Sequence, residues 1–324
     1  MNDKSTVTVS IVMPAYEVEK TLARAIDSAL AQTFCALEVV VVDDGSPDRS
    51  GAIADEYAAR DTRVRVVHHP TNRGLAETRK TGATAARGEW IFPFDSDDTL
   101  PTNAVQDLYD RAVEHNLDLV YGAWNRIMPS GERPEYHARE GILSGDEFLE
   151  YLLDPRCVCG SCTCLGRRAL WLNDVFPPVG VRLPSEDILI NVRLSAYVRR
   201  MGLFNDISIY NYYYNSDSLS VTGTLHRQPL WREHFNKIRE ELRRRGLDQR
   251  LEPLVRQMEL HRFAFMMNEV DTSDQWYRDV CHYPSEHFTR KSRVIQRLLR
   301  HPWLLRKAVA WNRRAKQWIQ KLRK

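Results

Sequence analysis

The sequence of 324 residues predicts an α/β fold with a mostly parallel central sheet flanked by helices, followed by a helical C-terminal extension. Three observations support this prediction. Short, continuously apolar segments alternate with helical segments up to residue 130, as in parallel strands that are buried on both faces. A hydrophobic content of 43% is enough to build a large core. Beyond Leu225 only helical periodicity remains.

The alternation can be followed element by element along the chain. Strands are predicted over 6–13, 37–42, 64–68, 89–94 and 117–127, and helices over 18–31, 47–60, 74–86 and 102–115. Further on, the patterns predict helices over 144–153, 186–200, 231–245 and 254–270. We therefore predict one domain over 1–222, with parts 1–130 and 131–222, and a helical region over 223–324.

Charge is unevenly distributed along the chain. Residues 287–324 contain thirteen Lys or Arg and no Asp or Glu, whereas the residues before them carry 33 basic and 43 acidic side chains. This distribution argues against a body that wraps nucleic acid and favours an anionic surface as the partner of the basic end. The sequence shows no signal-peptide pattern and no apolar run long enough to span a bilayer, so we expect cytoplasmic residence and reduced cysteines.

The acidic motif Asp95-Ser96-Asp97-Asp98 directly follows an apolar strand pattern. Carboxylates this close repel one another unless a cation lies among them. Mg²⁺ and Mn²⁺ prefer oxygen ligands and often bridge carboxylates to substrate phosphates, so the motif indicates a metal and diphosphate site. An Asp-rich turn that caps the next helix is the alternative interpretation.

Two further motifs are predicted at the same edge of the sheet as the acidic motif. They are Pro14-Ala15-Tyr16-Glu17 after the first strand and Asp43-Asp44 after the second. Ligands of open parallel sheets bind beyond the carboxyl ends of the strands. Turn and cap chemistry explains each motif singly, but it does not require acidic pairs twice on one rim. The sequence lacks a P-loop and a G-x-G-x-x-G turn, the usual competing nucleotide-binding signatures.

With these motifs in order, the chain resembles the family 2 glycosyltransferases of the GT-A fold, inverting enzymes of the bacterial surface-polysaccharide type. The resemblance covers residues 6–130 and, more loosely, 140–220, where it implies that residues 160–172 form a strand followed by an Arg-Arg turn and a helix. The matching segments are VSIVMPAY (9–16), ALAQT (29–33), EVVVVDDGS (38–46), NRGL (72–75), AARGEWI (85–91) and DSDD (95–98). Glu17 and Lys80 depart from the pattern, since both stand where Asn is common.

The resemblance implies a role for each motif. The implied nucleotide-sugar-binding residues are Pro14, Ala15, Tyr16, Glu17, Asp43, Asp44, Arg79, Asp95 and Ser96. Of these, Tyr16 would line the nucleoside pocket, Asp44 would accept a hydrogen bond from the base, and Asp43 would shape the turn. Asp97 would ligate Mn²⁺ or Mg²⁺ against the diphosphate, and Asp98 would be a supporting or capping carboxylate. Arg79 would help to neutralise the leaving group, although a solvated helix charge is an equal alternative.

Displacement of a nucleoside diphosphate also requires a base for the acceptor hydroxyl. Glu186-Asp187 opens a predicted helix and resembles the Glu-Asp motif of inverting members, in which the second residue is the base. This resemblance implies that Asp187 is the catalytic base and Glu186 a supporting group. The alternative is a pair of acidic residues favoured by the helix macrodipole.

Two other segments allow more than one interpretation. Cys157, Cys159, Cys162 and Cys164 could bind zinc, but a spacing of i,i+2 also places small thiols on one face of a strand, which we favour. The tyrosines of 210–220 could be an amphipathic sheet edge or a platform for sugar rings. Where related loops often carry Arg-x-His-x-x-Ser, Tyr213 and Asn215 occupy the Arg and His positions.

The end of the chain predicts a basic amphipathic helix. Its apolar stripe consists of Leu304, Ala308, Trp311, Ala315, Trp318 and Leu322. Such helices commonly lie in anionic membrane interfaces, although packing on the protein itself or in a homo-oligomer is the alternative. Since similar transferases act on lipid-linked acceptors, we expect peripheral attachment to the inner face of the cell membrane.

The expected function is therefore inverting transfer of a sugar from a nucleotide-sugar donor, a UDP-sugar, to the hydroxyl of a glycan or lipid-linked acceptor. Metal-assisted direct displacement with an Asp base is the expected mechanism. Two alternatives are a sugar-nucleotide nucleotidyltransferase and an inactive protein that binds sugar nucleotides or a membrane surface. The nucleotidyltransferase would need a Gly-rich basic loop near the N-terminus, which residues 14–20 do not show.

Overall fold

A computed structural model describes residues 7–178, 180, 183–215, 228–266, 270–304 and 307. The chain divides into two units, Met1–Leu152 with Arg156–Ser216, and Leu153–Pro155 with Asp217–Lys324. The boundary expected after residue 222 lies outside the described residues, so that division of the chain stays a prediction.

In the described part of the first unit, nine strands form one mixed sheet. They are β1 (Val9–Ala15), β2 (Leu37–Asp43), β3 (Val64–His68), β4 (Trp90–Pro93), β5 (Leu119–Met128), β6 (Gly131–Glu135), β7 (Gly141–Leu143), β8 (Cys164–Arg167) and β9 (Met201–Tyr213). Their order is β3-β2-β1-β4-β8-β5-β9-β7, with β6 paired to β5. The first four strands in that order are parallel, as predicted. β8 runs antiparallel between β4 and β5, which makes the sheet mixed.

Helices flank this sheet, so the predicted α/β architecture is confirmed. Those described in the first unit are α1 (Leu22–Leu30), α2 (Ser50–Arg60), α3 (Leu75–Ala85), α4 (Ala104–Glu114), α5 (Gly145–Leu152), α6 (Arg168–Trp171) and α7 (Glu186–Leu194). The helix predicted over 186–200 is shorter than expected. Asp118 accepts hydrogen bonds from the backbone N–H groups of Arg199 and Arg200, and these bonds fix the chain in the turn that leads into β9.

Close packing of α3 on the sheet holds Arg79, in the middle of that helix, near the acidic motif. A Cβ atom added to Gly82 would lie 2.2 Å from Cγ1 of Val12, so only glycine allows α3 to approach β1 this closely. Arg79 lies one turn earlier on the same helix. The strand beneath is fully buried along its length, as its continuous apolar sequence predicts.

The cysteine segment is not the strand that the sequence predicted. Of its four cysteines only Cys164 lies in a strand, β8, and the residues before it form a loop that closes with a hydrogen bond from the Thr163 N–H to the Gly160 carbonyl. Cys159 and Cys164 are buried, and all six thiols are free. The prediction missed this loop because i,i+2 spacing does not distinguish a strand from an irregular turn that buries the same side chains.

The second unit is helical where it is described. Its helices are α8 (Gln228–Arg244), α9 (Asp248–Phe265), α10 (Gln275–His282) and α11 (Arg290–Leu299). α9 begins six residues before the predicted start, because it accommodates Pro253 near its N-terminus, where one backbone hydrogen bond is lost. Arg239 joins α8 to α9 through ion pairs with Glu252 and the fully buried Glu259. No helix within the described ranges is long and apolar enough to cross a bilayer.

Candidate active site

The three predicted motifs lie at one edge of the sheet, directly after β1, β2 and β4. In the parallel pairing of β1 with β2, Ala15 lies beside Asp43, and β4 runs along β1 in the same direction. The chain therefore reaches Tyr16, Asp44 and Asp95 at the carboxyl ends of neighbouring strands. The prediction that these motifs share one rim is confirmed.

The first motif presents an aromatic ring at this rim. Pro14 and Ala15 are buried within β1, whereas Tyr16 is 40% exposed. Glu17 follows with a φ of +54°, a left-handed conformation in which the chain turns directly after the ring. An exposed tyrosine at the end of a strand provides a flat apolar surface for a nucleobase. The pocket role of these four residues stays a prediction.

Asp43 shapes the turn after β2, as predicted. Its Oδ1 accepts a hydrogen bond from the N–H of Ser46 at 3.1 Å, and its Oδ2 lies 3.0 Å from Nδ1 of His68. Asp55 lies against the other ring nitrogen of His68, and hydrogen bonds to Asp43 and Asp55 raise the pKa of this imidazole. The turn is therefore held by side chains of both β2 and α2.

The carboxylate of Asp44 points into the protein. Its Oδ1 accepts a hydrogen bond from the N–H of Arg73 at 2.9 Å and lies 2.7 Å from Nδ1 of His69, and its Oδ2 accepts the N–H of Gly74 at 2.8 Å. Asp44 thus fixes the loop that precedes α3. Gly45 is required beside it, because its φ is +68° and an added Cβ would lie 2.8 Å from the Thr71 backbone. Recognition of a base by Asp44 stays a prediction.

Asp98 is the structural member of the acidic motif. It is 1% exposed, and its oxygens accept hydrogen bonds from the Tyr210 hydroxyl at 2.7 Å and the Tyr213 N–H at 2.8 Å. Burial, together with Asp97 and Asp95, raises the pKa of Asp98 to about 8. Asp98 has the predicted supporting role, but it anchors β9 and does not cap a helix.

Asp97 is the member of the motif that best fits a divalent cation. Its side chain is partly buried, and burial together with the neighbouring Asp95 raises its pKa to about 6. A cation would compensate this carboxylate, and hard ions such as Mg²⁺ and Mn²⁺ prefer such oxygen ligands. No described group of three or more His, Cys, Asp or Glu side chains forms a ready metal cage. Mg²⁺ and Mn²⁺ commonly combine one or two carboxylates with phosphate oxygens and water, so Asp97 can serve as a protein ligand without such a cage.

Arg79 connects the acidic motif to the predicted catalytic base. One guanidinium nitrogen lies 2.8 Å from Oδ1 of Asp95, and another lies 3.1 Å from Oδ1 of Asp187 and 3.5 Å from Oε1 of Glu186. Arg79 is only 4% exposed, so the alternative of a solvated helix charge is wrong. Burial alone would lower the pKa of Arg79, but the three carboxylates hold it well above its usual range. Ser96, next to Asp95, is also buried.

Asp187 lies in the first turn of α7, where two groups orient it. The Ser161 hydroxyl donates a hydrogen bond to Oδ1 at 2.5 Å, and Arg79 donates to the same oxygen. The side chain is still 34% exposed, which leaves it accessible to a substrate. Asn191 on the same helix donates to the carbonyl of Cys159 and accepts from the Tyr121 hydroxyl, which fixes the helix to the loop before β8.

Sequence reasoning missed two residues of this site, Ser161 and Arg24. Ser161 lies among the cysteines, and its partner Asp187 is 26 residues away with no local pattern between them. Arg24 lies on the exposed face of α1, where a charged residue is ordinary. Its guanidinium donates to the backbone carbonyl of Asp97 at 2.6 Å and stacks 3.9 Å above the ring of Tyr213.

The tyrosines at the end of β9 have separate structural tasks. Tyr210 is fully buried, donates to Asp98 and packs edge-on against Phe94. Tyr212 is partly buried beside Trp124, with ring centroids 5.9 Å apart. Tyr213 supports Arg24. Neither predicted alternative therefore describes all three rings, and residues 216–220 of the predicted loop lie outside the described residues.

Comparisons with known proteins agree with this fold. The model of the family described as "Glycosyl transferase family 2" matches residues 10–176. The chain is 46% identical over 112 residues to the uncharacterized glycosyltransferase EpsJ of Bacillus subtilis (strain 168), a match that covers 35% of the chain and 32% of EpsJ. The streptococcal glycosyltransferase GlyG matches over 38% of its length, so the chain spans about a third of the length of these curated relatives.

Two solved structures have similar folds. TarS from S. aureus, in complex with UDP-GlcNAc, gives a TM-score of 0.68 at 20% identity and covers 92% of this chain and 88% of the TarS chain. The mannosyltransferase PcManGT from Pyrobaculum calidifontis, in complex with GDP-Man and Mn²⁺, gives a TM-score of 0.54 at 14% identity and covers 96% of this chain and 89% of its own.

Proposed function

The chain belongs to glycosyl transferase family 2, and from that premise we propose that it transfers a sugar, with inversion, from a UDP-sugar to the hydroxyl of a glycan or lipid-linked acceptor. The observation that supports this most directly is the double contact of Arg79 with Asp95 and Asp187. A single buried side chain links the acidic motif, where the donor would lie, to a carboxylate suited to act as base. The UDP-GlcNAc complex of TarS supports the choice of a uridine donor.

In the proposed reaction, Asp187 removes the proton of the acceptor hydroxyl. Among the described residues, Ser161 and Arg79 both donate to Oδ1 of Asp187, so in the proposed reaction Oδ2 would take the proton. The hydroxyl oxygen then attacks the anomeric carbon while the bond to the nucleoside diphosphate breaks. A single displacement of this kind inverts the anomeric configuration.

The acidic motif would hold the donor during this step. Asp95, which forms an ion pair with Arg79, would contact the donor sugar or ribose, and Asp97 would hold Mn²⁺ or Mg²⁺. When bound, the ion would stabilise negative charge on the diphosphate as a Lewis acid. Because the leaving group is then a good one, the site needs no strong general acid.

We expect Asp97→Ala to lower kcat/KM for transfer by about 100-fold or more, because stabilisation of a leaving phosphate by a metal ion amounts to several kcal/mol. The measurement is release of UDP from a panel of UDP-sugars in Mn²⁺, with and without EDTA. EDTA should reduce wild-type activity to a similar level and should have little further effect on the variant.

Asp110→Ala is the matched control, since it removes an exposed aspartate from α4 outside the acidic motif. Its activity should equal that of the wild type. A wild-type protein that turns over no nucleotide sugar in the panel would contradict the proposed function, and an Asp97→Ala variant with full activity would contradict the metal assignment.

We also propose that the basic end of the chain attaches the enzyme to an anionic membrane surface. In the described part, Trp303 is 59% exposed and Lys307 lies over its ring at 5.2 Å. Of the stripe residues, Leu304 is described and is 36% exposed, whereas Ala308, Trp311, Ala315, Trp318 and Leu322 lie outside the described residues. α11, in contrast, packs on α9, since the Ser292 hydroxyl donates to Gln257 at 2.7 Å. The attachment therefore rests on the residues beyond α11.

Removing residues 305–324 deletes eight basic side chains and leaves α11 intact. Each Lys or Arg near an anionic surface contributes about 1 kcal/mol, so the truncated protein should no longer sediment with vesicles that contain phosphatidylserine. Vesicles of phosphatidylcholine alone serve as the control and should bind both proteins weakly. Equal sedimentation of the full and truncated chains with anionic vesicles would refute the attachment.

A further inference from the structure

Arg24 is a second arginine that contacts the acidic motif, and it lies on α1, whereas Arg79 lies on α3. It extends from α1 to the carbonyl oxygen of Asp97, to which it donates a hydrogen bond of 2.6 Å. That bond uses one of the five N–H donors of a guanidinium. Within the described ranges no carboxylate forms an ion pair with Arg24, although its charge acts on the nearby Asp97 and lowers the pKa of that carboxyl, against the larger rise caused by burial.

The position of Arg24 is held by an aromatic support. Its guanidinium carbon lies 3.9 Å from the centroid of the Tyr213 ring, which is within the range of cation–π attraction. The backbone of Tyr213 is in turn fixed by its hydrogen bond to Asp98. Arg24 is thus oriented before any ligand arrives, which lowers the entropic cost of binding an anion.

The excess of negative charge around the motif favours a further cation beside Asp97. Arg79 already pairs with Asp95, Asp187 and Glu186, so its single positive charge is shared among three carboxylates. A nucleoside diphosphate adds at least two more negative charges beside Asp97. A divalent ion and Arg79 together do not balance this set, whereas Arg24 lies next to Asp97 and remains exposed to a ligand.

We propose that Arg24 binds the β-phosphate of the donor and stabilises the charge that develops on that phosphate as the sugar leaves. This inference rests on the proposed function and adds to it a residue of the donor site. Planar guanidinium groups bind phosphate oxygens through paired N–H donors, which a lysine at the same position would not reproduce. The ring of Tyr213 acts as a positioning group for Arg24.

The test is calorimetric binding of UDP and UMP, in Mn²⁺, to the wild type and to Arg24→Met. Met keeps the length of the aliphatic stem and removes the charge. UDP should bind Arg24→Met about 10- to 100-fold more weakly, because a charge-assisted contact to the β-phosphate is lost, whereas UMP, which lacks that phosphate, should bind with less than about a threefold change. The kcat for transfer should fall by a factor similar to that for UDP affinity.

Three further variants serve as controls. Arg60→Met removes an exposed arginine from α2 and should leave both affinities unchanged. Tyr213→Leu removes the ring that supports Arg24 and should weaken binding of UDP more than binding of UMP, and Tyr213→Phe, which keeps a ring, should show a smaller loss of UDP affinity. Repeating the UDP titration in EDTA should preserve the deficit of Arg24→Met, since the contact is direct and does not act through a metal ion.

The outcomes separate this inference from its premise. If the wild type binds no UDP, the proposed uridine donor is wrong, and so is the proposed contact of Arg24 with its β-phosphate. If the wild type binds UDP and Arg24→Met binds it equally well, only the role of Arg24 is wrong. An equal loss of UDP and UMP, or a deficit that disappears in EDTA, would mean that Arg24 merely supports the Asp97 loop, and would also overturn the inference.

Discussion

Replacing Asp187 with asparagine should lower kcat for sugar transfer by about 10²- to 10⁴-fold, the usual contribution of a positioned general base. Asparagine has the same shape, and its Oδ1 can still accept hydrogen bonds from Ser161 and Arg79. The fold and the donor site should therefore survive. What the variant loses is the oxygen that would take the proton of the acceptor hydroxyl.

The measurement combines steady-state transfer with calorimetric binding of UDP. UDP affinity of Asp187→Asn should stay within about threefold of the wild type, because the base contacts the acceptor and not the nucleotide. Glu186→Gln is the matched control in the same helical turn, and it should cost much less activity because Glu186 is farther from Arg79, at 3.5 Å. A rate for Asp187→Asn close to that of the wild type would rule out Asp187 as the base.

Arg79→Met should have the second large effect, on both stability and activity. Removing the cation leaves Asp95 and Asp187 facing each other without their shared partner. Breaking a buried ion pair costs roughly 3–5 kcal/mol, but these carboxylates are 29% and 34% exposed, so water screens them and we expect a loss of about 1–3 kcal/mol. Transfer should fall by about 10³-fold, since both the donor carboxylate and the base lose their orientation.

Urea unfolding and transfer kinetics measure these two effects separately. Arg79→Lys is the informative comparison, because a lysine restores the charge but cannot donate to both carboxylates in the same geometry. It should recover most of the stability and little of the activity. If Arg79→Met unfolded at the wild-type urea concentration and transferred sugar at the wild-type rate, Arg79 would not link the two halves of the site.

The first half of the fold was predictable because its signals are local. A continuous run of apolar residues, as in β2, predicts a buried strand, and each such run is followed by a segment with helical periodicity. The edge shared by Tyr16, Asp44 and Asp95 then follows from the general placement of loops in parallel sheets. Family motifs supplied the candidate roles, because no physical rule derives a catalytic base from the dipeptide Glu186-Asp187.

The parts that were not predictable depend on pairing between distant segments. The insertion of β8 between β4 and β5 has no local signature, since four residues of strand resemble many others. For the same reason Ser161 could not be assigned to Asp187, and the surface charge of Arg24 gave no indication of its contact with Tyr213. The cysteines of this segment are free thiols, as predicted. Their loop was not predicted, because small buried side chains such as cysteine do not specify whether the backbone is a strand or a loop.

Because β8 runs antiparallel to β4, the loop before β8 lies at the same edge of the sheet as the acidic motif. Since Ile91 pairs with Gly166 and Trp90 with Arg167, β8 begins at the edge where β4 ends. The loop before it therefore arrives at the donor rim from the other half of the chain. Mutations and insertions accumulate most readily in such loops, while the strands that support the nucleotide stay unchanged. Under the proposed function, we expect substitutions in this loop to alter the preference for the acceptor without altering the donor, except at Ser161, which orients Asp187.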